Sequence, residues 1–167
     1  MPENLEKYLL TPGPLTTSKL TKQAMLRDIG SWDSDFKKIT SEIREKLVNI
    51  LMQTSNINKI KNSDSYISIP MQGSGTFSVE AMLGTFVPKT NKALVLSNGS
   101  YGKRCSTILN YLGRDNDIID MGDFLPPDPE LLEKKLEQDP HISHVIVIHC
   151  ETSSGILNPI KTISKIV

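Results

Sequence analysis

Between residues 35 and 52 the apolar side chains Phe36, Ile39, Ile43, Leu47 and Ile50 return at steps of three and four, with charged residues between them. That spacing keeps one face of a helix apolar and predicts an amphipathic helix with Ser34 as its N-cap. A shorter helix is predicted over 18–28, with Leu20, Ala24 and Met25 inward and Gly30 as its stop. Upstream, LLTPGPLTTS is dense in proline, glycine and threonine and predicts an extended, turning arm. Residues 53–65 are polar and predict a surface loop.

Beyond residue 65 the pattern becomes strand–helix–strand. A strand is predicted over 66–72, followed by a helix over 76–86 that is apolar nearly all round and therefore expected to be buried. KALVLS over 92–97 is a short apolar strand, and a helix over 103–112 with Gly113 beyond its end follows it. A strand is predicted over 117–121. Asp128-Pro129 then opens a helix with Glu130 and Glu133 in its first turn, where the helix dipole favours acids, and Asp139-Pro140 closes it. HVIVIHC over 144–150 reads as one strand buried on both faces. Asn158-Pro159 starts a last helix. This alternation predicts an α/β fold with a mostly parallel sheet and helices on both faces. In such sheets ligands collect at the carboxyl ends of the strands. Three small, polar turns fall there: QGSGT, SNGSYG and CETSSG.

Composition narrows the class without pointing to chemistry. The chain has 167 residues, which suits one well-buried domain, and it is 38% hydrophobic and 23% charged. Its 19 basic and 19 acidic residues leave no net charge, so no nucleic-acid partner is expected. No apolar run approaches the roughly 20 residues of a membrane span, and the opening MPENLEKYLL is unlike a signal peptide. Cys105 and Cys150 form no motif and read as reduced thiols. A soluble, cytoplasmic protein without a membrane partner is the expectation.

The turn at 72–76 presents unpaired N–H groups and a helix dipole to one point, which suits a phosphate. A dinucleotide fingerprint requires a third glycine and a later acidic residue, and both are missing; the Gly-Lys-Ser/Thr of a triphosphate loop is missing too. A single phosphate monoester, with Ser74 and Thr76 as extra donors, and a ligand-free structural turn both remain. Tyr101 is either a ring that stacks on a flat ligand or a rim aromatic. Thr152 and Ser153 are either partners for a ring substituent or turn caps. His149 and Glu151 share a strand face and are either an acid–base pair or polar groups satisfied inside the fold. His141 and His144 read as structural, and no spacing suits a metal.

Together, LLTPGPLTTS, the Ser31-Trp32-Asp33 loop, QGSGTFSVEAMLG, SNGSYGKR and ISHVIVIHCETSSGILNPI resemble the N-terminal part of the 2-aminoethylphosphonate–pyruvate transaminases. These are class V aminotransferases that use pyridoxal 5′-phosphate (PLP) on a large α/β domain. The resemblance runs from about Tyr8 to Val167. It implies that Ser74, Gly75 and Thr76 hold the PLP phosphate, that Tyr101 stacks on the pyridine ring and that Thr152 approaches the ring hydroxyl. It implies substrate-side positions for the arm around Gly13, from Thr11 to Pro14, and for Ser31 and Trp32. The implied reaction moves the amino group of 2-aminoethylphosphonate to pyruvate, giving phosphonoacetaldehyde and alanine, in a homodimer. It also implies a division into an arm and substrate-side loop over 1–34 and an incomplete PLP-binding large domain over 35–167, with the C-terminal small domain absent. The Schiff-base lysine and the aspartate that pairs with the pyridine nitrogen then lie beyond Val167. Lys103, Lys161 and Lys165 match neither motif nor position, so catalysis by this chain alone is not expected. The alternatives are another class V aminotransferase, of the alanine–glyoxylate or serine–pyruvate type, and a non-catalytic fragment acting as a pairing module.

Overall fold

The computed structural model describes residues 7–54 and 66–167, which divide into two compact units, Met1–Met71 and Gln72–Val167. The loop predicted over 53–65 lies, from residue 55 onward, outside the described residues.

In the first unit the arm folds back on itself. The Leu9 N–H donates to Thr16 Oγ1 at 2.6 Å, the Thr11 hydroxyl donates to the Pro14 carbonyl, and the Gly13–Pro14 peptide is cis. Ser18 caps helix α1 (Lys19–Ala24) by accepting from the Thr21 N–H at 3.1 Å. The helix is shorter than predicted. Its last turn tightens, with Met25 and Leu26 bonding back to Lys22 and Gln23 at 3.2 and 3.1 Å. Helix α2 (Ser34–Thr54) begins one residue early, because Asp33 takes the role expected of Ser34. The Asp33 carbonyl accepts the Lys37 N–H at 3.1 Å, and its carboxylate accepts the Gly30 N–H at 2.9 Å. Arg44 on α2 donates to the Ser68 carbonyl at 3.0 Å across an open groove of about 480 Å³.

The strand predicted over 66–72 does not form. Residues 66–71 are irregular, with Ile67 and Ile69 exposed. A strand is defined by a neighbour that takes its N–H and C=O groups, and no described strand pairs with this segment.

The second unit is built on a three-stranded parallel sheet in the order β2-β1-β3, with β1 (Lys92–Ser97) between β2 (Asn116–Asp120) and β3 (Ile142–Val147). Four helices accompany it: α3 (Gly75–Phe86), α4 (Ser100–Tyr111), α5 (Pro129–Gln138) and α6 (Ile160–Ile166). Alternation along β1 separates two cores. Ala93 and Val95 join Leu83 of α3 and Cys105, Ile108 and Leu109 of α4. Leu94 and Leu96 join Leu132 of α5 and Ile163 of α6. Helices therefore cover both faces of the sheet, as the alternating pattern requires. Asp128 caps α5 from its side chain, with Pro129 as the first helical residue.

Two expectations change here. The run HVIVIHC is not one strand. β3 stops at Val147, because the Asn158 side chain takes the Ile148 carbonyl and the Asn158 N–H takes the His149 carbonyl, both at 2.7 Å. The chain resumes as β4 (Cys150–Glu151), paired antiparallel with β5 (Ile156–Leu157) around a turn closed by Gly155. The α3 helix, expected to be buried, buries only Leu83 completely, while Phe77, Met82 and Phe86 stay exposed. One side of α3 packs on α4 and β1; no described element of this unit covers the other.

Candidate active site

β1 delivers the chain to the carboxyl edge of the sheet, where Ser97 and Asn98 are both buried. α4 then starts at Ser100, three residues earlier than predicted, so Tyr101 sits in its first helical turn and not in a loop. Glu151, half a hundred residues on, causes this early start. Its fully buried carboxylate accepts the N–H groups of Gly102 at 3.0 Å and Tyr101 at 3.4 Å, and also the Ser153 hydroxyl. Ser153 Oγ in turn accepts the Ser100 N–H at 2.8 Å. Nothing larger than hydrogen fits at Gly99, where a Cβ would lie 2.5 Å from Glu151 Cγ. The two strand ends are also joined by a buried reciprocal amide pair: Asn98 donates to Asn158 at 2.8 Å and receives from it at 2.9 Å. The CETSSG and SNGSYG turns are thus one hydrogen-bonded body.

Of the two readings open for Glu151, the structure shows the polar group satisfied within the fold; His149 is exposed. The roles of Glu151, Asn98 and Asn158 were not evident in the sequence. The only signals were an Asn-Gly and an Asn-Pro at neighbouring strand ends and an acid closing an apolar run.

The start of α3 is the opposite case. Gly73 has φ +115, and a Cβ there would lie 2.0 Å from the Phe77 ring, so only glycine makes this turn. Ser74 is the N-cap in extended backbone, yet its hydroxyl makes no capping bond. Gly75 has no atom within 4 Å of where a Cβ would stand, and the first turn carries no acid. The N–H groups and the positive dipole end of α3 are therefore open to an external anion, whereas those of α4 already have Glu151. Arg104 of α4 reaches this corner. Its Nη1 donates to Thr76 Oγ1 at 3.2 Å, and its guanidinium carbon lies 4.9 Å from the centre of the Tyr101 ring. Tyr101 is 38% exposed and keeps ring surface for a ligand. Thr152 projects from the same turn as Glu151 and is exposed, its hydroxyl without a hydrogen bond among the described residues.

Ser74, Gly75, Thr76, Tyr101 and Thr152 thus all lie in the second unit. Arg104 links Thr76 to Tyr101, and the Glu151 carboxylate links Tyr101 to the turn bearing Thr152. Such a set can take a phosphate ester on the α3 terminus and a flat ring against Tyr101. Gly13, Ser31 and Trp32 lie in the first unit, all exposed, and Lys37 Nζ stands 4.5 Å over the Trp32 ring. No three metal-ligating side chains cluster among the described residues, and no described helix is long and apolar enough to cross a membrane.

A network of charged pairs sits at the other end of the sheet. Lys92, which opens β1, meets Asp139 at 2.9 Å and Asp117 at 3.6 Å, while Lys135 meets Asp117 at 2.7 Å. The bond from Lys92 holds the Asp139 carboxyl below its ordinary range, the bond from Lys135 does the same for Asp117, and the bond to Asp139 raises Lys92.

No family model matches the chain. Over 162 residues it is 54% identical to a 2-aminoethylphosphonate–pyruvate transaminase of Rhizobium meliloti (strain 1021), a match covering 97% of this chain and 40% of the relative. It is 52% identical over 163 residues to 2-aminoethylphosphonate–pyruvate transaminase 1 of Paraburkholderia xenovorans (strain LB400), covering 98% of this chain and 40% of that relative. The chain therefore spans about two-fifths of the length of the curated relatives it matches. Among solved structures it superposes on pyridoxamine–pyruvate aminotransferase from Mesorhizobium loti with a TM-score of 0.79 at 23% identity, covering 100% of this chain and 40% of that one. Alanine–glyoxylate aminotransferase from Nostoc sp. gives 0.77 at 25% identity, over 99% and 42%. The fold is that of part of the aminotransferase large domain.

Proposed function

We propose, from the premise that this chain is homologous over nearly all of its length to 2-aminoethylphosphonate–pyruvate transaminases, that it supplies the cofactor-holding half of such an enzyme's active site. The reaction is transfer of the amino group of 2-aminoethylphosphonate to pyruvate, giving phosphonoacetaldehyde and alanine. The observation that carries the cofactor reading is the contrast between the two helix starts at the sheet edge. α4 is closed by the buried Glu151, while α3 is open, acid-free and lined by Ser74, Gly75 and Thr76.

Those residues fit PLP. The N–H groups of the first α3 turn and the Ser74 and Thr76 hydroxyls would hold its phosphate, where the dipole favours the dianion. The exposed part of the Tyr101 ring would pack against the pyridine, and Thr152 would donate to or accept from the ring hydroxyl. PLP, when bound, supplies the electron sink that amino transfer requires. Each protein group here binds and orients; the reacting lysine and the acid at the pyridine nitrogen are assigned, on the family resemblance, to the part of the relatives that this chain does not cover. Gly13, Ser31 and Trp32 are assigned to the substrate side on their motif match. The working assembly is a homodimer, a reading supported by the row of part-exposed apolar side chains on α2, Phe36, Ile39, Ile43, Leu47 and Ile50. A cytoplasmic setting is supported by two cysteines that are both free. The domain division at 34/35 follows the same motif match.

Identity of about half to the phosphonate transaminases, against 25% or less to solved aminotransferases with other substrates in their names, favours 2-aminoethylphosphonate as amino donor. The test is to extend the chain to its relatives' full length and measure alanine formation from pyruvate with 2-aminoethylphosphonate or L-serine as donor, and glycine formation from glyoxylate with L-alanine or L-serine as donor. Turnover with the phosphonate at least tenfold above the other donors is expected. Turnover confined to the carboxylate donors, with glyoxylate as acceptor, would assign the protein to the alanine–glyoxylate type.

A further inference from the structure

We propose that Arg104 is a positioning residue for the cofactor phosphate: it holds the Thr76 hydroxyl as an acceptor, which turns that hydroxyl's own proton toward the anion, and it braces the Tyr101 ring with the same guanidinium. The inference rests on the cofactor reading given above and adds a residue that reading does not use.

A hydroxyl has one proton to donate and lone pairs to accept with. Threonines within helices commonly spend that proton on the carbonyl four residues back, and two in this chain do so, Thr40 to Phe36 and Thr107 to Lys103. Thr76 makes no such bond among the described residues. It stands in the first turn of α3, so the residue four places back is outside the helix. Its oxygen instead accepts from Arg104 Nη1 at 3.2 Å. A cationic donor on the oxygen polarises the O–H bond and leaves its proton for an outside acceptor. The open N–H groups of the α3 start lie beside that proton, so hydroxyl and backbone converge on one anion.

Arginine is needed for this because its planar group can stack by its face and donate from its edge at once. Tyr101 and Arg104 are three residues apart on α4 and share a helix face, which brings the guanidinium within 4.9 Å of the ring centre. The neighbouring cation does not compete, since Lys103 is engaged by Asp120 at 3.3 Å and Asp123 at 3.8 Å. Arg104 therefore couples the two halves of the site, the phosphate end at Thr76 and the ring end at Tyr101.

The experiment is equilibrium dialysis of this chain against pyridoxamine 5′-phosphate and against pyridoxamine. Both carry an amine in place of the aldehyde, so neither couples to surface lysines, and they differ only in the phosphate. Wild type should prefer the phosphorylated ligand. Arg104→Gln should lose about tenfold in affinity for it, as expected for one charge-assisted bond, and less for pyridoxamine, which senses only the Tyr101 brace. Arg104→Lys should recover only part of the loss. Thr76→Val combined with Arg104→Gln should lose less than the sum of the two single losses, because both remove the oriented Thr76 hydroxyl. Far-UV circular dichroism of each variant guards against misfolding, and Arg104 is exposed enough for the fold to tolerate the change. An Arg104→Gln chain that keeps the full preference for phosphate, or additive losses in the double variant, would overturn the role of Arg104 and leave the cofactor reading standing. A wild type with no preference for the phosphorylated ligand would overturn both.

Discussion

Glu151 decides more of this site than any residue that would touch a ligand. It is fully buried, and it receives the N–H groups of Tyr101 and Gly102 from a segment about 50 residues earlier, besides the hydroxyl of its near neighbour Ser153. Replacing it with alanine strands those donors, so Glu151→Ala should lower unfolding free energy by about 3 kcal/mol in a urea titration, with Glu151→Gln losing less because an acceptor remains. The two thiols give an independent check on burial. Cys105 is buried, and burial, aided by the Glu151 charge, pushes its thiol up; Cys150 is exposed. A thiol-specific reagent such as DTNB at pH 8 should therefore react with one equivalent quickly and with the second only on unfolding. Two fast equivalents would contradict the packing around α4. At this scale the sequence was informative wherever a residue's task is local. Ser74, Gly75 and Thr76 stand at an open helix start as their pattern suggests. Glu151 stayed open between an acid–base partner of His149 and a polar group satisfied inside the fold, because the helix N–H groups it serves lie about 50 residues earlier.

Elements were legible where the pattern and the neighbours agree. KALVLS is β1 to the residue, and Asp128-Pro129 opens α5 as read. The segment 66–71 has the composition of a strand without a described partner, and a ladder belongs to two segments, so no reading of one of them can establish it. HVIVIHC failed for a related reason: Asn158 competes for the carbonyls at Ile148 and His149 and ends β3 early. The ion pairs that join β1, β2 and α5 predict how the sheet responds to acid. Asp139 and Asp117 have carboxyls held below their ordinary value of 3.8, by Lys92 and Lys135 respectively. A carboxyl depressed in the folded state stabilises above its unfolded value and loses that contribution as pH falls through the folded one. The urea midpoint should thus fall as pH drops from 5 to 2, and Asp139→Asn should flatten part of that fall. Lys92, raised above 10.5, acts in the reverse sense and loses its contribution only in strong alkali.

For the molecule as a whole, both apolar cores draw, among the described residues, on Gln72–Val167. A chain starting at Gln72 should therefore keep its helical circular dichroism and unfold cooperatively; a broad, non-cooperative transition would show that the core borrows stability from the first 71 residues. The α/β class and the two covered faces were legible because strand–helix alternation is a long-range pattern that survives local errors. The exposed side of α3 was not, since an apolar helix is buried only where a neighbour exists to bury it. A parallel sheet also sends all its strands the same way, which gives it two ends with different electrical characters. Lys92 and its acids lie where β1 begins, and the phosphate corner lies past its other end. Five steps along a strand are about 16 Å, while charges in physiological salt fade over about 8 Å. The two ends are thus insulated from each other: Asp139→Asn should weaken folding in the neutral range and leave affinity for pyridoxamine 5′-phosphate unaltered. The pH profile of that affinity should follow the second ionisation of the phosphate near 6, so that one molecule answers acid on two separate circuits.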